Sequence, residues 1–197
     1  DYSSTVGAEI VGNQFTGAGA LGGQCSAASI SIYGEHERLV VEGNRIEEDP
    51  SRTTVDCDGL AFSMGENSDP ERFSETTIRN NKVLGVGGTS IRLSGCEDCV
   101  VENNVLVQHG AYGIAIIEDE RDSEDGRSTD VRIQNNAIYG SDSSLDAAIL
   151  LSTGTDLVVS NNAVHFDGAG AYYCFDIHYG STHITDAGHN LCYTPNS

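Results

Sequence analysis

A short pattern of apolar and polar positions recurs along the chain and includes an asparagine each time. The strings VVEGNRI, TIRNNKV, VVENNVL, RIQNNAI and LVVSNNAV place an apolar residue three positions before the asparagine, a polar residue two positions before it, and another apolar residue two positions after the asparagine. Alternation with a period of two is typical of a β-strand that buries one face. The pattern therefore predicts a strand on each side of every asparagine.

The repeated asparagines are separated by intervals of unequal length. Two weaker copies of the pattern, EIVGNQF and DAGHNLCY, extend the series, which comprises Asn13, Asn44, Asn81, Asn104, Asn136, Asn162 and Asn190. Subtracting neighbouring residue numbers gives intervals of 31, 37, 23, 32, 26 and 28 residues. Intervals of this size indicate a solenoid, and their variation indicates coils joined by loops of different lengths.

A second alternating strand precedes each asparagine from Asn44 onward. Its copies are SISIY, GLAFS, SIRLS, GIAII, AILLS and CFDIH. If coils stack at the usual strand spacing of about 4.8 Å, the inward residues form continuous apolar columns. We therefore expect an all-β, right-handed parallel β-helix of about seven coils that occupies residues 1–197 as one domain. We expect that domain to be a segment of a longer protein or a subunit that stacks on copies of itself.

The chemistry of asparagine explains its place at the corner between two strands. Asparagine tolerates the left-handed backbone that a sharp turn needs. Its side-chain amide also donates to, and accepts from, the same amide one coil away. We therefore expect the seven asparagines to form an internal ladder that satisfies its own buried polar groups.

The strings IRNNKV, VENNVL, IQNNAI and VSNNAV resemble the parallel β-helix repeat family and the pectate lyase-like superfamily. The resemblance covers nearly the whole chain and implies the fold rather than one activity, since this scaffold carries many functions. In polysaccharide-acting relatives, the outward face of the first strand often forms the floor of the substrate groove. The chain lacks the Asp-Asp and Arg-Ile-Lys pattern of polygalacturonases and the Asp-Pro-His-Glu pattern of alginate epimerases.

The charge and the cysteine content limit which cellular compartments and which binding partners we expect. Thirty acidic residues against ten Lys and Arg give a net charge of −20, which repels nucleic acid and anionic membranes. No apolar stretch approaches the length of about 18 residues that spans a bilayer, so we expect no membrane insertion. Six cysteines in an acidic chain favour an oxidising setting, and we expect a secreted or cell-surface protein.

The outward positions of the first strand supply the candidate substrate contacts. Hydroxyl-bearing and aromatic side chains suit sugar rings, which need an apolar surface and hydrogen-bonding partners. The predicted binding residues are Tyr33, Ser63, Ser94 and Ser152. The alternative interpretation of these positions is an ordinary solvated sheet face.

The same face carries the candidate catalytic residues. Asp176 and His178 stand two positions apart on one strand, so the carboxylate can orient the imidazole for proton transfer. Arg92 is the permanent cation of this face, and the resemblance implies that it could clamp a uronate carboxylate. Arg92 lies three coils from Asp176, roughly 14 Å at the strand spacing, so the two cannot share one reacting atom. A polar terminal cap is the alternative for the Asp176–His178 pair.

An acidic insertion, residues 118–130, is the candidate calcium site. Calcium takes six to eight oxygen ligands, and the insertion offers Asp119, Asp122, Glu124 and Asp125. The spacing does not match an EF-hand, and a solvated loop is the alternative.

The six cysteines suggest three disulfides. Cys96 and Cys99 are close enough in sequence to bridge a turn, and Cys25 and Cys57 precede the first strand of successive coils. Cys174 and Cys192 fall in the last coil. Other pairings stay open, because six cysteines allow 15 connectivities.

Two classes of function are consistent with these features. The first is an extracellular carbohydrate-binding or polysaccharide-processing β-helix module, with catalysis and simple binding both open and a polysaccharide or glycan as the partner. The second is a structural or adhesive protein, such as a filament, sheath or stalk subunit. Such a subunit would associate end to end through the exposed strand edges of its terminal coils.

Overall fold

The computed structural model describes residues 4–18, 20–21, 24–25, 28–48, 57–62, 72–107, 110–118, 126–140, 146–168, 172–178 and 182–194, with the backbone alone described for 20–21 and 24–25. Regular structure in this part of the chain consists of short β-strands, as the alternating pattern predicts. Within it, no helix has the length and apolar character needed to cross a membrane.

The strands of the described residues are mostly two to five residues long. In chain order they are β1 (Ser4–Val6), β2 (Glu9–Val11), β3 (Gln14–Thr16), β4 (Ala20–Leu21), β5 (Gln24–Cys25), β6 (Ile30–Ile32), β7 (Glu35–Glu37), β8 (Val40–Glu42), β9 (Arg45–Glu47), β10 (Leu60–Phe62), β11 (Phe73–Ser74), β12 (Thr77–Arg79), β13 (Lys82–Leu84), β14 (Ile91–Leu93), β15 (Cys96–Glu97), β16 (Val100–Glu102), β17 (Val105–Val107), β18 (Tyr112–Ile116), β19 (Arg132–Gln134), β20 (Ala137–Gly140), β21 (Ala147–Leu151), β22 (Gly154–Ser160), β23 (Ala163–Phe166), β24 (Tyr173–Ile177), β25 (Thr182–Asp186) and β26 (Leu191–Tyr193).

These strands form four parallel sheets that run along the stack. Sheet A is β1-β7-β11-β15, and sheet B is β2-β8-β12-β16-β19-β22-β25. Sheet C is β26-β23-β20-β17-β13-β9-β3, sheet D is β24-β21-β18-β14-β10-β6, and β4 and β5 form a small antiparallel pair. Up to β17, the chain passes from sheet D through A and B to C and then returns to D, whereas in the described residues of the later coils it passes from D to B and C. The prediction of a parallel β-helix is confirmed, and the short sheet A is an addition that the sequence did not predict.

The register places like residues directly over one another in the core. In sheet B, the pairing of Val41 with Ile78, and of Ile78 with Val101, continues a column of fully buried aliphatic side chains. In sheet D, Leu60 pairs with Ile91 in the same way. Each such burial contributes about 1.5–3 kcal/mol, so the columns supply most of the driving force for stacking.

Small residues form one column at or just before the start of the sheet D strands. The column consists of Ser29, Gly59, Ser90, Gly113, Ala148 and Cys174. A β-carbon added to Gly113 would lie 2.7 Å from Cγ2 of Ile138 and 2.8 Å from the carbonyl oxygen of Ala148. The close approach of sheet C therefore limits the side-chain size in this column.

The asparagine ladder is continuous from Asn13 to Asn190, and its geometry repeats at every step. The Nδ2 group of Asn81 donates to Oδ1 of Asn104 at 3.1 Å, and the backbone N–H of Asn81 donates to the same oxygen at 2.9 Å. Nδ2 also donates to the Val41 carbonyl of the preceding coil at 2.8 Å. Equivalent amide-to-amide bonds of 3.0–3.1 Å join the other neighbours in the ladder. The predicted ladder is thereby confirmed.

The left-handed turn residue is not the ladder asparagine but the residue before it. These residues have φ between 55° and 68° and comprise Gly12, Gly43, Asn80, Asn103, Asn135, Asn161 and His189. Glycine and asparagine tolerate this region best, because other side chains clash with the following carbonyl. The left-handed residue turns the chain and directs the next side chain inward, which corrects the predicted role of the ladder asparagines in the turn.

Two of the predicted disulfides are present. Cys96 and Cys99 bridge a turn with their Cα atoms 5.9 Å apart, and Cys174 and Cys192 join sheet D to sheet C with Cα atoms 6.1 Å apart. Cys57 is also disulfide-bonded. The predicted partner side chain, that of Cys25, lies outside the described residues.

Candidate functional site

The outer face of sheet D carries most of the predicted site residues. The register aligns one outward column, consisting of Ser31, Ala61, Arg92, Ala115, Leu150 and Asp176. Tyr33, Ser152 and His178 stand two positions further along their coils. Ser63, which belongs to the same set, lies outside the described residues.

The middle of this face is more enclosed than predicted. Ala61, Ala115 and Leu150 are at most 6% exposed. Ala61 and Ala115 are the register neighbours of Arg92. Ser94 is also buried, and its hydroxyl donates to the Phe62 carbonyl of the neighbouring coil at 3.1 Å. This corrects the prediction that Ser94 faces a substrate.

The remaining predicted contacts are at least partly accessible. Tyr33 is 48% exposed, and its carbonyl accepts a hydrogen bond from His36 Nε2 at 2.8 Å. Ser152 is half-buried, and its hydroxyl donates to the Ile116 carbonyl at 3.3 Å. Tyr33 therefore offers a ring to a ligand, whereas the Ser152 hydroxyl already has an acceptor.

Arg92 is paired with a carboxylate that the sequence did not place beside it. Its Nη1 atom lies 3.3 Å from Oδ2 of Asp58, while Oδ1 of Asp58 accepts the backbone N–H of Thr89 at 2.7 Å. The Asp58 side chain is only 15% exposed. Because this anchored carboxylate compensates the guanidinium, Arg92 offers little net positive charge to a ligand.

Asp176 and His178 lie side by side, as predicted. Nε2 of His178 is 3.8 Å from Oδ2 of Asp176, and the two side chains are 56% and 40% exposed, respectively. A carboxylate beside an imidazole can orient the ring. The pair can therefore exchange a proton with a bound hydroxyl group.

Tyr112 and Asp146 lie on the Asp176 side of this pair, although neither was predicted. Burial raises the pKa of Tyr112, and the negative charges of Asp146 and Asp176 and a hydrogen bond to Asp146 raise it further. Tyr112 begins β18 and Asp146 immediately precedes β21. At these positions the alternating pattern only begins, so it does not predict whether a side chain points inward or outward. We refer to Asp176, His178, Tyr112 and Asp146 as the acid–imidazole cluster.

The acid–imidazole cluster and Arg92 occupy separate regions of the outer face of sheet D. Three register steps separate Arg92 from Asp176, through Ala115 and Leu150. At about 4.8 Å a step the separation is about 14 Å, as the sequence predicts. The proposed calcium ligands Asp119, Asp122, Glu124 and Asp125 lie outside the described residues. Within the described ranges, no three His, Cys, Asp or Glu side chains are grouped to hold a metal ion.

Comparison with known proteins identifies the fold family. A family model described as a right handed beta helix region matches residues 61–190, about two thirds of the chain. The same comparison found no curated protein and no solved structure that matches the chain. Because the match covers more than half of the chain, and its strands stack in parallel sheets, the chain belongs to the right-handed β-helix family.

Proposed function

We propose that the chain is an extracellular carbohydrate-binding module that contacts a glycan through the outer face of sheet D. The acid–imidazole cluster is the observation that carries this proposal. It combines an exposed carboxylate and imidazole with a half-buried tyrosine on the outer face of sheet D. Sugar hydroxyls need such donors and acceptors, and sugar rings pack on aromatic surfaces.

The disulfides support the proposed location outside the cell. Disulfide bonds persist in oxidising compartments and are rare in the cytosol. The Cys96–Cys99 and Cys174–Cys192 bonds, together with the bonded Cys57, account for five of the six cysteines. Such bonds are maintained in the oxidising environment of a secreted or surface-displayed protein.

Charge favours an uncharged glycan over a polyuronate. The chain carries a net charge of −20, and Asp58 already compensates the guanidinium of Arg92. A uronate polymer would bring further negative charge to Asp146 and Asp176 without a fixed cation to receive it. A calcium ion bridging polymer and protein would change this balance, so calcium is a variable of the test.

Polysaccharide processing is the stronger form of the same proposal. In this form of the proposal, His178 transfers a proton to or from a sugar oxygen, and Asp176 orients the imidazole ring. Their separation of 3.8 Å, with both side chains exposed, allows this arrangement. The reaction would be of a lyase, epimerase or hydrolase type, and product analysis distinguishes it from binding.

The test combines binding with product analysis on neutral and acidic polysaccharides, with calcium or with a chelator. We expect one neutral polymer to bind, and we expect Asp176→Asn and His178→Gln to weaken binding about tenfold, which corresponds to about 1.4 kcal/mol. Arg92→Ala should leave neutral-polymer binding unchanged. Gln134→Ala, on the outer face of sheet B, is the matched control.

Two outcomes would count against the proposal. Binding that survives both cluster variants would show that the glycan contacts another face. No interaction with any polymer would favour the alternative, a structural or adhesive subunit that associates end to end. Sedimentation and electron microscopy of the same sample would then show whether filaments form.

A further inference from the structure

The outer face of sheet C changes character along the stack. Its first outward column begins with Gln14, Arg45 and Lys82, which are polar or charged. The same column continues with residues that carry no charge, beginning with Val105 and Ala137. The boundary between the two halves falls between β13 and β17, so the later coils present a separate surface.

An open groove of about 690 Å³ lies along these later coils. Its floor includes Ala137 and Ala163, whose short side chains leave room above the sheet. Val105 is 40% exposed and Leu191 66% exposed at the two ends of this floor. The residues that line the groove include no carboxylate, although the chain contains thirty acidic residues.

A row of three rings borders the floor, with one ring in each coil. Tyr139, His165 and Tyr193 are register neighbours in β20, β23 and β26. The ring centroids of Tyr139 and His165 are 5.3 Å apart, and those of His165 and Tyr193 are 5.0 Å apart. Neighbouring ring planes are inclined by 69° and 62°, so each ring meets its neighbour edge-to-face.

Hydrogen-bonding groups lie at the edge of this row. The Tyr139 hydroxyl donates to Oδ2 of Asp167 at 2.7 Å, which fixes the hydroxyl and leaves its oxygen able to accept. The same hydrogen bond raises the pKa of Tyr139. The exposed imidazole of His165 adds a second polar group. An apolar floor with a few polar groups at its rim is typical of a ligand site.

We propose that this groove binds an extended, uncharged glycan chain that lies along the β-helix axis, with one sugar ring over each coil. The inference rests on the proposed carbohydrate-binding function but assigns it a second site on a different sheet. A pyranose ring is about as long as the coil spacing of roughly 4.8 Å. Successive sugars can therefore lie over successive side-chain rings of the row. A β-1,4-linked chain is extended, so it can follow the row of rings from one coil to the next.

Charge argues for this occupant over a second copy of the chain. Two copies would bring together surfaces from molecules that each carry a charge of −20. That repulsion opposes self-association, whereas an uncharged glycan adds no charge to the groove. The even spacing of the rings also fits a polymer with a regular repeat better than the irregular surface of a folded partner.

The test is a titration of the whole chain with the β-1,4-linked hexasaccharide of glucose, followed by calorimetry and by NMR of tyrosine and histidine side chains. We expect His165→Ala and Tyr193→Ala to weaken binding about tenfold each. Lys82→Ala, on the charged half of the same sheet, is the matched control and should bind as the unaltered protein does. The α-1,4-linked hexasaccharide, which coils, and an acidic β-1,4-linked uronate hexamer should bind more weakly.

Each outcome decides the inference. If the hexasaccharide binds and Asp176→Asn abolishes binding while His165→Ala does not, the groove assignment is overturned and the proposed function survives. If no hexasaccharide binds to the unaltered protein, the groove assignment is overturned as well. A concentration-dependent dimer that Tyr193→Lys dissociates would identify a second copy as the occupant. Circular dichroism of every variant separates lost binding from lost folding.

Discussion

Replacing Asn104 by alanine removes one internal step of the ladder while leaving its backbone in place. Its Oδ1 accepts both donors of Asn81, the backbone N–H at 2.9 Å and Nδ2 at 3.1 Å. Its Nδ2 donates to Oδ1 of Asn136 and to the Ile78 carbonyl, both at 3.0 Å. Asn104→Ala therefore deletes four hydrogen bonds at a position that is 1% exposed.

The expected cost follows from the groups that are left without partners. The backbone N–H of Asn81 loses the acceptor oxygen of Asn104, and Nδ2 of Asn81 keeps only the Val41 carbonyl. A buried donor left unsatisfied costs about 1–3 kcal/mol, so two such donors cost about 4 kcal/mol. The free energy of unfolding of a typical domain is about 5–15 kcal/mol, so this loss is large.

Variants of two other asparagines, Asn103 and Asn13, serve as controls. Asn103 is exposed and has a φ of 55°, a conformation that glycine adopts readily, so Asn103→Gly should change the unfolding free energy by less than about 1 kcal/mol. Asn13 belongs to the ladder but is exposed, so water can satisfy the groups that Asn13→Ala leaves. That variant should also cost less than about 1 kcal/mol.

Equilibrium unfolding in guanidinium chloride, followed by far-ultraviolet circular dichroism, measures these differences. The account predicts a much lower transition midpoint for Asn104→Ala than for either control, with the slope unchanged. A loss below about 1 kcal/mol for Asn104→Ala would refute the reasoning, because it would mean that the internal amides are satisfied by water or contribute nothing to stability.

Three further predictions follow from the core, the disulfides and the outer face of sheet D. Gly113→Ala should destabilise the fold by about 1–3 kcal/mol in the same unfolding assay, because its β-carbon would lie 2.8 Å from the Ala148 carbonyl oxygen. Replacing Cys174 and Cys192 together by alanine should cost about 3 kcal/mol, because their disulfide closes a loop with a sequence separation of 18; an unchanged midpoint would contradict this. Burial, then nearby carboxylates, raise the pKa of Tyr112. The contribution of Tyr112 to stability should therefore be complete below a pH of about 10 and decline as the pH rises through its folded-state pKa. An NMR titration of the ring carbons tests this prediction. Ionisation of Tyr112 at or below the pH at which an exposed tyrosine ionises would contradict it.

The fold could be predicted because its determinants repeat within the sequence. Period-two alternation assigns a face to each strand residue, and stacking multiplies the signal because Val41, Ile78 and Val101 occupy one column. The left-handed turn residue was assigned one position too late. Its signal was present, since glycine precedes the ladder at Gly12 and Gly43, where positive φ is least costly.

The candidate site was harder to predict, because its contacts join residues from different coils across loops of unequal length. The Asp58–Arg92 pair and the approach of Tyr112 to Asp146 depend on how those loops place the strand ends. The ring row of sheet C left a clearer signal. Tyr139 and His165 each stand three positions after a ladder asparagine, a position that the alternating pattern places outward.

Chemical-shift mapping with a neutral polysaccharide tests the central claim most directly, because it shows where on this β-helix a glycan lies. The account predicts saturable shifts of the His178 imidazole and the Tyr112 ring, with signals from the outer face of sheet B unchanged. Saturable binding that leaves both of these side chains unperturbed would contradict the assignment of the glycan-contact surface to sheet D.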